Sequence, residues 1–223
     1  SQQEALDALD RMKESMTPDM KDRITDLLRR LSDLEESIRM LVEIQTNELE
    51  LLERSIVDSN FDSRDDAMID LRNRTISTSS GISQRTPEEK TIATRLVKAS
   101  EAQGNAVGLL RTSPINPDEV RLQEELSLQQ LVEAIQDVAD LQARGEEEMT
   151  EVERVELARL YRELSESQLD IRVRTGDILD SDRSTRRTRH ESRRLGLEQT
   201  KLVERSEELR SDNVEMEERP IFI

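Results

Sequence analysis

Residues 20–56 read MKDRITDLLRRLSDLEESIRMLVEIQTNELELLERSI, and the spacing of their apolar residues decides the fold class. Apolar residues recur in alternating steps of three and four, which is the heptad pattern of a helix that buries one narrow face against other helices. The residues at the a and d positions are Ile24, Leu27, Leu31, Leu34, Ile38 and Leu41. A helix over residues 19–58 would be roughly 60 Å long at 1.5 Å per residue.

The heptad pattern slips once, at Gln45. The apolar row resumes at Leu49, Leu52 and Ile56, so two steps of four residues meet at this glutamine. Such a stutter unwinds a supercoil locally without ending the helix. We therefore predict one helix over 19–58 with a locally unwound stretch at Gln45.

The composition favours narrow apolar stripes over a thick core. The chain has 223 residues, of which 34% are hydrophobic and 1% aromatic, and its formal net charge is -17. Ordinary globular domains contain about 45–50% apolar residues. Leu, Ile, Val and Phe still make up roughly a quarter of the chain, above the level expected of a disordered one. We predict an all-α fold of long amphipathic helices in a coiled-coil or helical-bundle assembly, with an extended apolar tail at the C-terminus.

The residue inventory argues against several chemistries. The chain has no cysteine and a single histidine, His190, so disulfides, thiol nucleophiles and multi-histidine metal sites are not expected. No P-loop, EF-hand, GxSxG or HExxH motif occurs. We therefore expect no enzyme, no catalytic residue, no cofactor or metal, and no small-molecule substrate. The sequence also lacks a signal peptide and a membrane span, which favours a virion or cytoplasmic location.

The basic residues are mostly arginine. Lysine occurs only at Lys13, Lys21, Lys90, Lys98 and Lys201. A lysine-poor, arginine-rich and acidic chain fits a protein adapted to high salt, because molar salt shortens the Debye length to about 3 Å and screens the self-repulsion. The alternative is a GC-rich genome, which also favours arginine over lysine.

The pattern along the chain divides it into four parts. Residues 1–58 are predicted to hold two helices, one over 2–16 and one that starts at Thr17-Pro18-Asp19. Residues 59–86 are predicted to be a Ser/Thr-rich hinge or linker, with a short helix over 64–73 and a flexible stretch over 75–81. Residues 87–219 are predicted to be a helical bundle region, and residues 220–223 a docking tail.

Within the bundle region, capping signals and glycines suggest the helix boundaries. Thr86-Pro87 and Asn116-Pro117 each begin a helix with an acid at the third position. Gly104 or Gly108 is predicted to end the first of these helices. Breaks near Gly145 and near 181–185 then give helices over 117–144, 149–180 and 186–218, packed antiparallel. One continuous rod kinked at its glycines is the alternative.

The last helix has an apolar row beside a polar row. The apolar row is Leu195, Leu202, Leu209 and Met216, and the polar row is Gln199, Ser206 and Asn213. We predict that the apolar row and the heptad residues of 19–58 form an oligomerisation seam, in which the polar row fixes the register. The alternative is that the leucines pack on the chain's own fold and the polar row lies at the margin.

Two local features stand out as interaction sites. A basic patch contains Arg183, Arg186, Arg187, Arg189, Arg193 and Arg194. Arginines can bind a nucleic-acid backbone, but pairing with acidic helices of the same or a neighbouring subunit is favoured because the whole chain is acidic. The apolar tail Ile221, Phe222 and Ile223 is predicted to dock on a partner, or alternatively to fold back.

These features together predict a non-enzymatic structural subunit of a large homo- or hetero-oligomeric assembly. Its partners would be copies of itself or other assembly proteins, and its most concrete form is a virion component of a dsDNA virus of a salt-adapted host. The first alternative is a cytoplasmic coiled-coil adaptor or regulator that binds a partner through the helix over 19–58. The second, less favoured, is a protein that binds a nucleic-acid backbone through the basic patch.

Overall fold

The protein is all-α, as the heptad pattern predicts. A computed structural model describes the backbone of residues 2–83, 86–180 and 186–217, and the side chains of 19–83, 86–180 and 186–211. The regular elements in these ranges are α1 (Gln2–Asp58), α2 (Arg64–Gly81), α3 (Pro87–Leu110), α4 (Pro117–Asp180) and α5 (Arg186–Glu217). Among these residues, no helix combines the length and the apolar character needed to cross a membrane.

The helices are distributed over two compact units. The bundle unit comprises residues 18–149, and the terminal unit comprises residues 1–17 together with 150–223. Helices α1 and α4 each have one part in the bundle unit and another part in the terminal unit. These units do not follow the boundaries predicted at residues 58 and 86, because α2 and α3 pack with α1 and α4 in a single body.

The bundle unit is an antiparallel four-helix bundle. Between α1 and α4, Arg121 Nε donates to Glu53 Oε1 at 2.7 Å near one end, and Gln142 Nε2 donates to Glu35 Oε2 at 3.1 Å further along. Since the residue numbers rise on α4 as they fall on α1, the two helices are antiparallel. The short connections over 59–63, 82–86 and 111–116 impose the same relation on successive helices.

Contacts between the other neighbours confirm this topology. Helices α2 and α3 are joined by Arg111 to Asp65 at 2.9 Å and by Ser79 to the Ala93 carbonyl at 3.2 Å. Helices α3 and α4 are joined by the ion pair between Arg144 and Glu88 at 3.4 Å. Each helix is therefore antiparallel to both of its neighbours, and α1 is parallel to α3 across the bundle.

The heptad residues of α1 form part of the core of this bundle. Ile24, Leu31, Ile38 and Leu41 are buried, and Leu27 and Leu34 pack against them as partly buried residues. The same core contains Met68 and Leu71 of α2, Ile92, Leu96, Ala99, Ala106 and Val107 of α3, and Leu131, Ala134 and Val138 of α4. The prediction that the α1 residues form an oligomerisation seam is therefore corrected, because the chain's own helices already cover that face.

Residues 64–81 form a helix, which corrects the predicted linker over 75–81. The buried residues of α2 are Arg64, Met68, Leu71, Thr75 and Ser79, at the three- and four-residue spacing of one helix face. Two buried hydroxyls on this face are satisfied. Thr75 donates to the Leu71 carbonyl at 3.0 Å, and Ser79 donates to the Ala93 carbonyl at 3.2 Å. Small hydroxylated residues can therefore occupy a buried helix face here.

Helix α1 is continuous through Pro18, where a new helix was predicted to begin. It contains 57 residues and extends from Gln2 to Asp58. Proline removes one N–H donor from the helix ladder, but the flanking turns keep their own hydrogen bonds. The predicted end of this helix is confirmed. Ser59 and Ser63 both have positive φ, and the connection between them separates α1 from α2.

The starts of the later helices are also confirmed. Thr86 forms a capping box with Glu89, whose backbone N–H donates to Thr86 Oγ1 at 3.2 Å. Helix α4 begins at Pro117, α4 ends at Asp180 and α5 begins at Arg186, while residues 181–185 lie outside the described residues.

The glycines at 104, 108 and 145 do not end helices. Helix α3 continues past Gly104 and Gly108 to Leu110, and α4 runs through Gly145 as one helix of 64 residues. A Cβ atom at Gly145 would lie 2.8 Å from Leu28 Cδ2. This glycine therefore allows α1 and α4 to approach closely, and the predicted break and three-helix arrangement are corrected.

Two glycine-to-alanine substitutions test this packing role. A Cβ at Gly108 has nothing within 4 Å, so Gly108→Ala should raise the free energy of unfolding by about 0.5–1 kcal/mol through helix propensity alone. Gly145→Ala should gain less than that, because Leu28 must move. Urea titrations of both variants measure the difference. An equal gain at the two positions would show that α1 and α4 are not in close contact at Gly145.

Candidate functional site

A buried polar layer crosses the bundle unit. Gln45 and Glu48 of α1, Arg64 of α2, Gln103 of α3, and Glu124 and Ser127 of α4 are each at most 8% exposed. Every helix of the bundle thus contributes at least one member. Polar groups in such a position are stable only where they find hydrogen-bond partners.

The amide side of this layer is centred on Gln45, the residue at the heptad stutter. Its Oε1 atom accepts from Gln103 Nε2 at 3.2 Å and from Ser127 Oγ at 2.8 Å. Gln45 therefore bonds both to the parallel helix α3 and to the antiparallel helix α4. Gln45 follows Ile38 by seven residues, so it occupies a core heptad position that is apolar in the preceding repeats.

The charged side of the layer holds two carboxylates around one guanidinium. Arg64 Nη2 donates to Glu124 Oε1 at 2.9 Å and to the Glu48 carbonyl at 2.8 Å, and lies 3.4 Å from Glu48 Oε2. Burial raises the pKa of Glu124 from its ordinary 4.5 to about 7, with Arg64 acting against that rise. Burial also raises the pKa of Glu48. One proton on this pair of acids leaves the group neutral overall, which is the favoured state in a low-dielectric core.

Hydrogen bonding in the layer is incomplete among the protein atoms. The buried atoms without a partner are Gln45 Nε2, Gln103 Oε1, Glu48 Oε2, Glu124 Oε2, Arg64 Nε and Arg64 Nη1. Each unsatisfied group costs about 1–3 kcal/mol in a core, so the layer lowers the stability of the bundle. We interpret it as a register device, because any other alignment of the helices would leave these groups against apolar side chains.

The terminal unit contains an antiparallel pair formed by residues 150–180 of α4 and by α5. Arg174 pairs with Glu198 at 2.9 Å, and Glu163 pairs with Arg205 at 3.4 Å. These contacts fix the antiparallel direction, since Glu163 precedes Arg174 on α4 while Arg205 follows Glu198 on α5.

The apolar row of α5 faces this partner. Leu195 and Leu209 are buried and Leu202 is half-buried, on the side of α5 whose polar residues bond to α4. In the polar row, Gln199 is half-buried and Ser206 is exposed. The predicted oligomerisation seam on α5 is corrected in the same way as that on α1, because the leucines are used within the chain. The side chains of Met216 and Asn213 lie outside the described residues.

Large apolar side chains remain exposed on the terminal unit. On α4, Leu169 is 59% exposed, Val173 is 55% exposed and Leu179 is 78% exposed. On α5, Leu197 is 67% exposed. A helix buries only the face that packs on a neighbour, and these side chains remain in contact with solvent.

The basic patch is a solvent-facing surface at the start of α5. Arg186, Arg187, Arg189 and Arg193 are exposed and have no ion pair with a described residue. Arg194 pairs with Glu198 at 2.9 Å, within the same helix. Arg183 of the patch and the predicted docking residues Ile221, Phe222 and Ile223 lie outside the described residues.

The sequence analysis did not predict the charged side of the polar layer. The spacing of Arg64, Met68 and Leu71 was a usable signal, since it places Arg64 on the buried face of α2. The pairing with Glu48 and Glu124 had no sequence signal, because it depends on which helices lie across from each other.

Neither a metal site nor similarity to known proteins assigns a function to the chain. Among the described residues, no group of three or more His, Asp or Glu side chains is placed to hold a metal ion. No protein family model, no curated protein and no solved structure matches the chain.

Glu124→Gln tests the proton of the charged layer. The folded chain holds this proton up to about pH 7, whereas the unfolded chain releases it near 4.5, so its contribution to stability is full below pH 4.5 and is lost as the pH rises to 7. The glutamine side chain stays neutral over this pH interval. The free energy of unfolding of the variant, relative to that of the wild type, should therefore rise from pH 4.5 to pH 7 by an amount of the order of 3 kcal/mol.

Urea unfolding of the wild type and the variant at about pH 5 and about pH 8 measures the change. Glu125→Gln is the matched control, because its neighbouring carboxyl on α4 is exposed. The same pH dependence in the two variants would contradict a buried proton on Glu124.

Proposed function

We propose that the protein is a non-enzymatic structural subunit of a large homo- or hetero-oligomeric assembly. The observation that carries this proposal is the set of large, exposed apolar side chains on the terminal unit, with Leu169, Val173, Leu179 and Leu197 all more than half exposed. Fully burying a side chain of this kind contributes about 1.5–3 kcal/mol. Contiguous apolar patches on a protein surface mark contacts with other proteins, and Leu169 and Val173 lie one helical turn apart on α4.

The two units suit different tasks in this proposal. The bundle unit has an enclosed core and a polar layer that fixes its helix register, so it would act as a rigid body. The terminal unit has incompletely covered helices and the basic patch, and so would provide the contact surface. The tail Ile221, Phe222 and Ile223 would add a second contact by inserting into a neighbour.

The most concrete form of this proposal is a virion component of a dsDNA virus of a salt-adapted host. Its support is compositional: a net charge of -17 and only five lysines among the basic residues. Such a charge is tolerated in molar salt, where screening acts over about 3 Å.

The alternatives have less support. A coiled-coil adaptor would use the helix over 19–58, but the heptad face of that helix is covered by the bundle. A nucleic-acid-binding protein would use the basic patch, whose arginines are exposed, but the acidic chain as a whole would repel a polyanion.

Native mass by light scattering tests the assembly proposal. The wild type should exceed the 25.8 kDa of one chain, and Leu169→Asp combined with Leu179→Asp should lower the mass because a buried contact would then contain charge. Ser165→Asp is the control, as it adds a charge at an exposed polar position of the same helix segment. A wild type that stays monomeric in both molar and low salt would contradict a homo-oligomeric assembly.

The same light-scattering measurement tests two parts of the proposal separately, the docking tail and the adaptation to salt. Removing residues 220–223 should lower the native mass if the tail docks on a neighbour. Transfer to low salt should loosen the assembly if the protein is salt-adapted, and an unchanged mass would count against a halophilic origin.

A further inference from the structure

The outward face of α5 carries its charges in two separate blocks. This face lies opposite the leucine row, and its described side chains are exposed. The first half holds the charged residues Arg186, Arg189 and Arg193, and the second half holds Glu204, Glu207 and Glu208. Leu197, 67% exposed, lies between the two blocks. None of these charged residues has an ion pair with a described residue.

This separation is unfavourable for α5 on its own. Like charges lie one helical turn apart at Arg189 and Arg193, and again at Glu204 and Glu208, where each pair repels. Mixing the same residues along the face would have produced attractive pairs instead.

The order of the blocks also opposes the helix dipole. A helix favours acids in its first turn and bases in its last turn. Helices α2, α3 and α4 follow the first rule, with Asp65, Glu88 and Asp118 among their first residues. Helix α5 has no acid in its first turn and no base in its last turn. An outside partner with the opposite order of charges would compensate this pattern.

We propose that α5 pairs through this face with α5 of a second copy of the chain, in an antiparallel arrangement. The antiparallel direction places the basic block of each helix against the acidic block of the other. With the symmetry axis between Glu198 and Gln199, Arg193 faces Glu204 and Arg189 faces Glu208, each twice. Such a self-complementary contact is the isologous interface of a twofold dimer.

The centre of this contact is uncharged. In the same register, Leu197 of each copy faces Thr200 of the other, which covers the exposed leucine. Lys201, the one base on the outward side of the acidic half, faces Gly196 and meets no like charge.

A second copy explains more of this face than a nucleic acid does. A polyanion would bind the basic block, but the acidic block on the same helix face would repel it. A second α5 satisfies both blocks. The pairing rests on the proposed assembly function and specifies one contact within it. Exposed ion pairs are individually weak, so the charge pattern sets orientation and register more than affinity.

Charge reversal on each block tests the pairing. Arg189→Glu with Arg193→Glu leaves Arg186 as the one arginine of the basic block, and Glu204→Arg with Glu208→Arg leaves Glu207 as the one glutamate of the acidic block. Each double variant therefore places like charges opposite each other at all four facing positions. Each double variant alone should lose the α5 contact. An equimolar mixture of the two should regain it as a mixed dimer, and the quadruple variant should regain it with itself, because opposite charges again face each other.

Light scattering at high protein concentration, in both low and molar salt, measures this, with circular dichroism to confirm that the variants are helical. Arg172→Glu with Arg210→Glu is the control, since both arginines are exposed but lie off this face. Loss of the contact in the control as well, or failure of the mixture to regain it, would overturn the pairing.

Cysteine cross-linking tests the direction and register. The chain has no cysteine, so single cysteines can be introduced without a background reaction. Two copies of Thr200→Cys should be offset along the helix axis by about 5 Å and form a disulfide dimer, whereas two copies of Ser211→Cys should be offset by about 38 Å and form none. Cross-linking at both positions would indicate parallel helices, and cross-linking at neither would exclude this contact.

Failure of the pairing can be told apart from failure of the assembly proposal. If both double variants keep the native mass of an oligomeric wild type, the α5 contact is wrong while assembly stands. A wild type that is monomeric in both salt conditions would remove both the pairing and a homo-oligomeric assembly. If the wild type retains a labelled DNA duplex, and Arg189→Glu with Arg193→Glu releases it at unchanged native mass, the basic patch binds a polyanion and the pairing is overturned.

Discussion

The structure depends on one constraint: the chain has enough apolar residues for only one narrow stripe on each helix. A stripe of this width is covered only when several helices surround a common axis. In the bundle unit four helices do so, and residues such as Ile38 of α1 and Leu96 of α3 are fully buried. In the terminal unit, the described side chains of α4 and α5 cover each other on one side only, and Leu179 and Leu197 lie in solvent. The same scarcity thus produces a closed core in the bundle unit, while both units leave some apolar side chains in solvent, such as Val57 and Leu179.

The polar layer modifies this core at a cost in stability. Arg64 is a permanent cation, so its burial requires at least one ionised carboxylate beside it, and the second carboxyl is tolerated because burial raises the pKa of Glu124 to about 7. Helices built from repeated leucine layers can slide past one another by a heptad with little loss. A single layer in which Gln45 bonds to Gln103 and Ser127 removes that freedom. The layer therefore exchanges stability for a unique alignment of helices.

The sequence predicts the features of this fold that depend on local signals. Heptad spacing predicts the helix over 19–58, and the capping residue Thr86 predicts the start of α3, because both act within a few turns of one helix. Errors arise where a local signal is overridden by packing. Gly145 resembles a helix end but lies in close contact with Leu28, and the Ser/Thr-rich stretch of α2 resembles a linker but buries its hydroxyls against α3. The sequence could not predict the contacts among Glu48, Arg64 and Glu124, because these residues lie on three helices whose arrangement no single segment specifies.

The order of charges on α5 follows from the same scarcity. Where apolar residues are abundant, their shapes can specify how two surfaces meet. Among its described residues, the outward face of α5 has one large apolar residue, Leu197, which can be covered in either helix direction and in several registers. Only a charge pattern that changes sign along the helix can distinguish antiparallel from parallel pairing. The arginine block before Leu197 and the glutamate block after Thr200 provide such a feature, and in parallel helices they would place like charges together. The repulsion that each block causes within one chain is thus what makes a single orientation of two chains favourable.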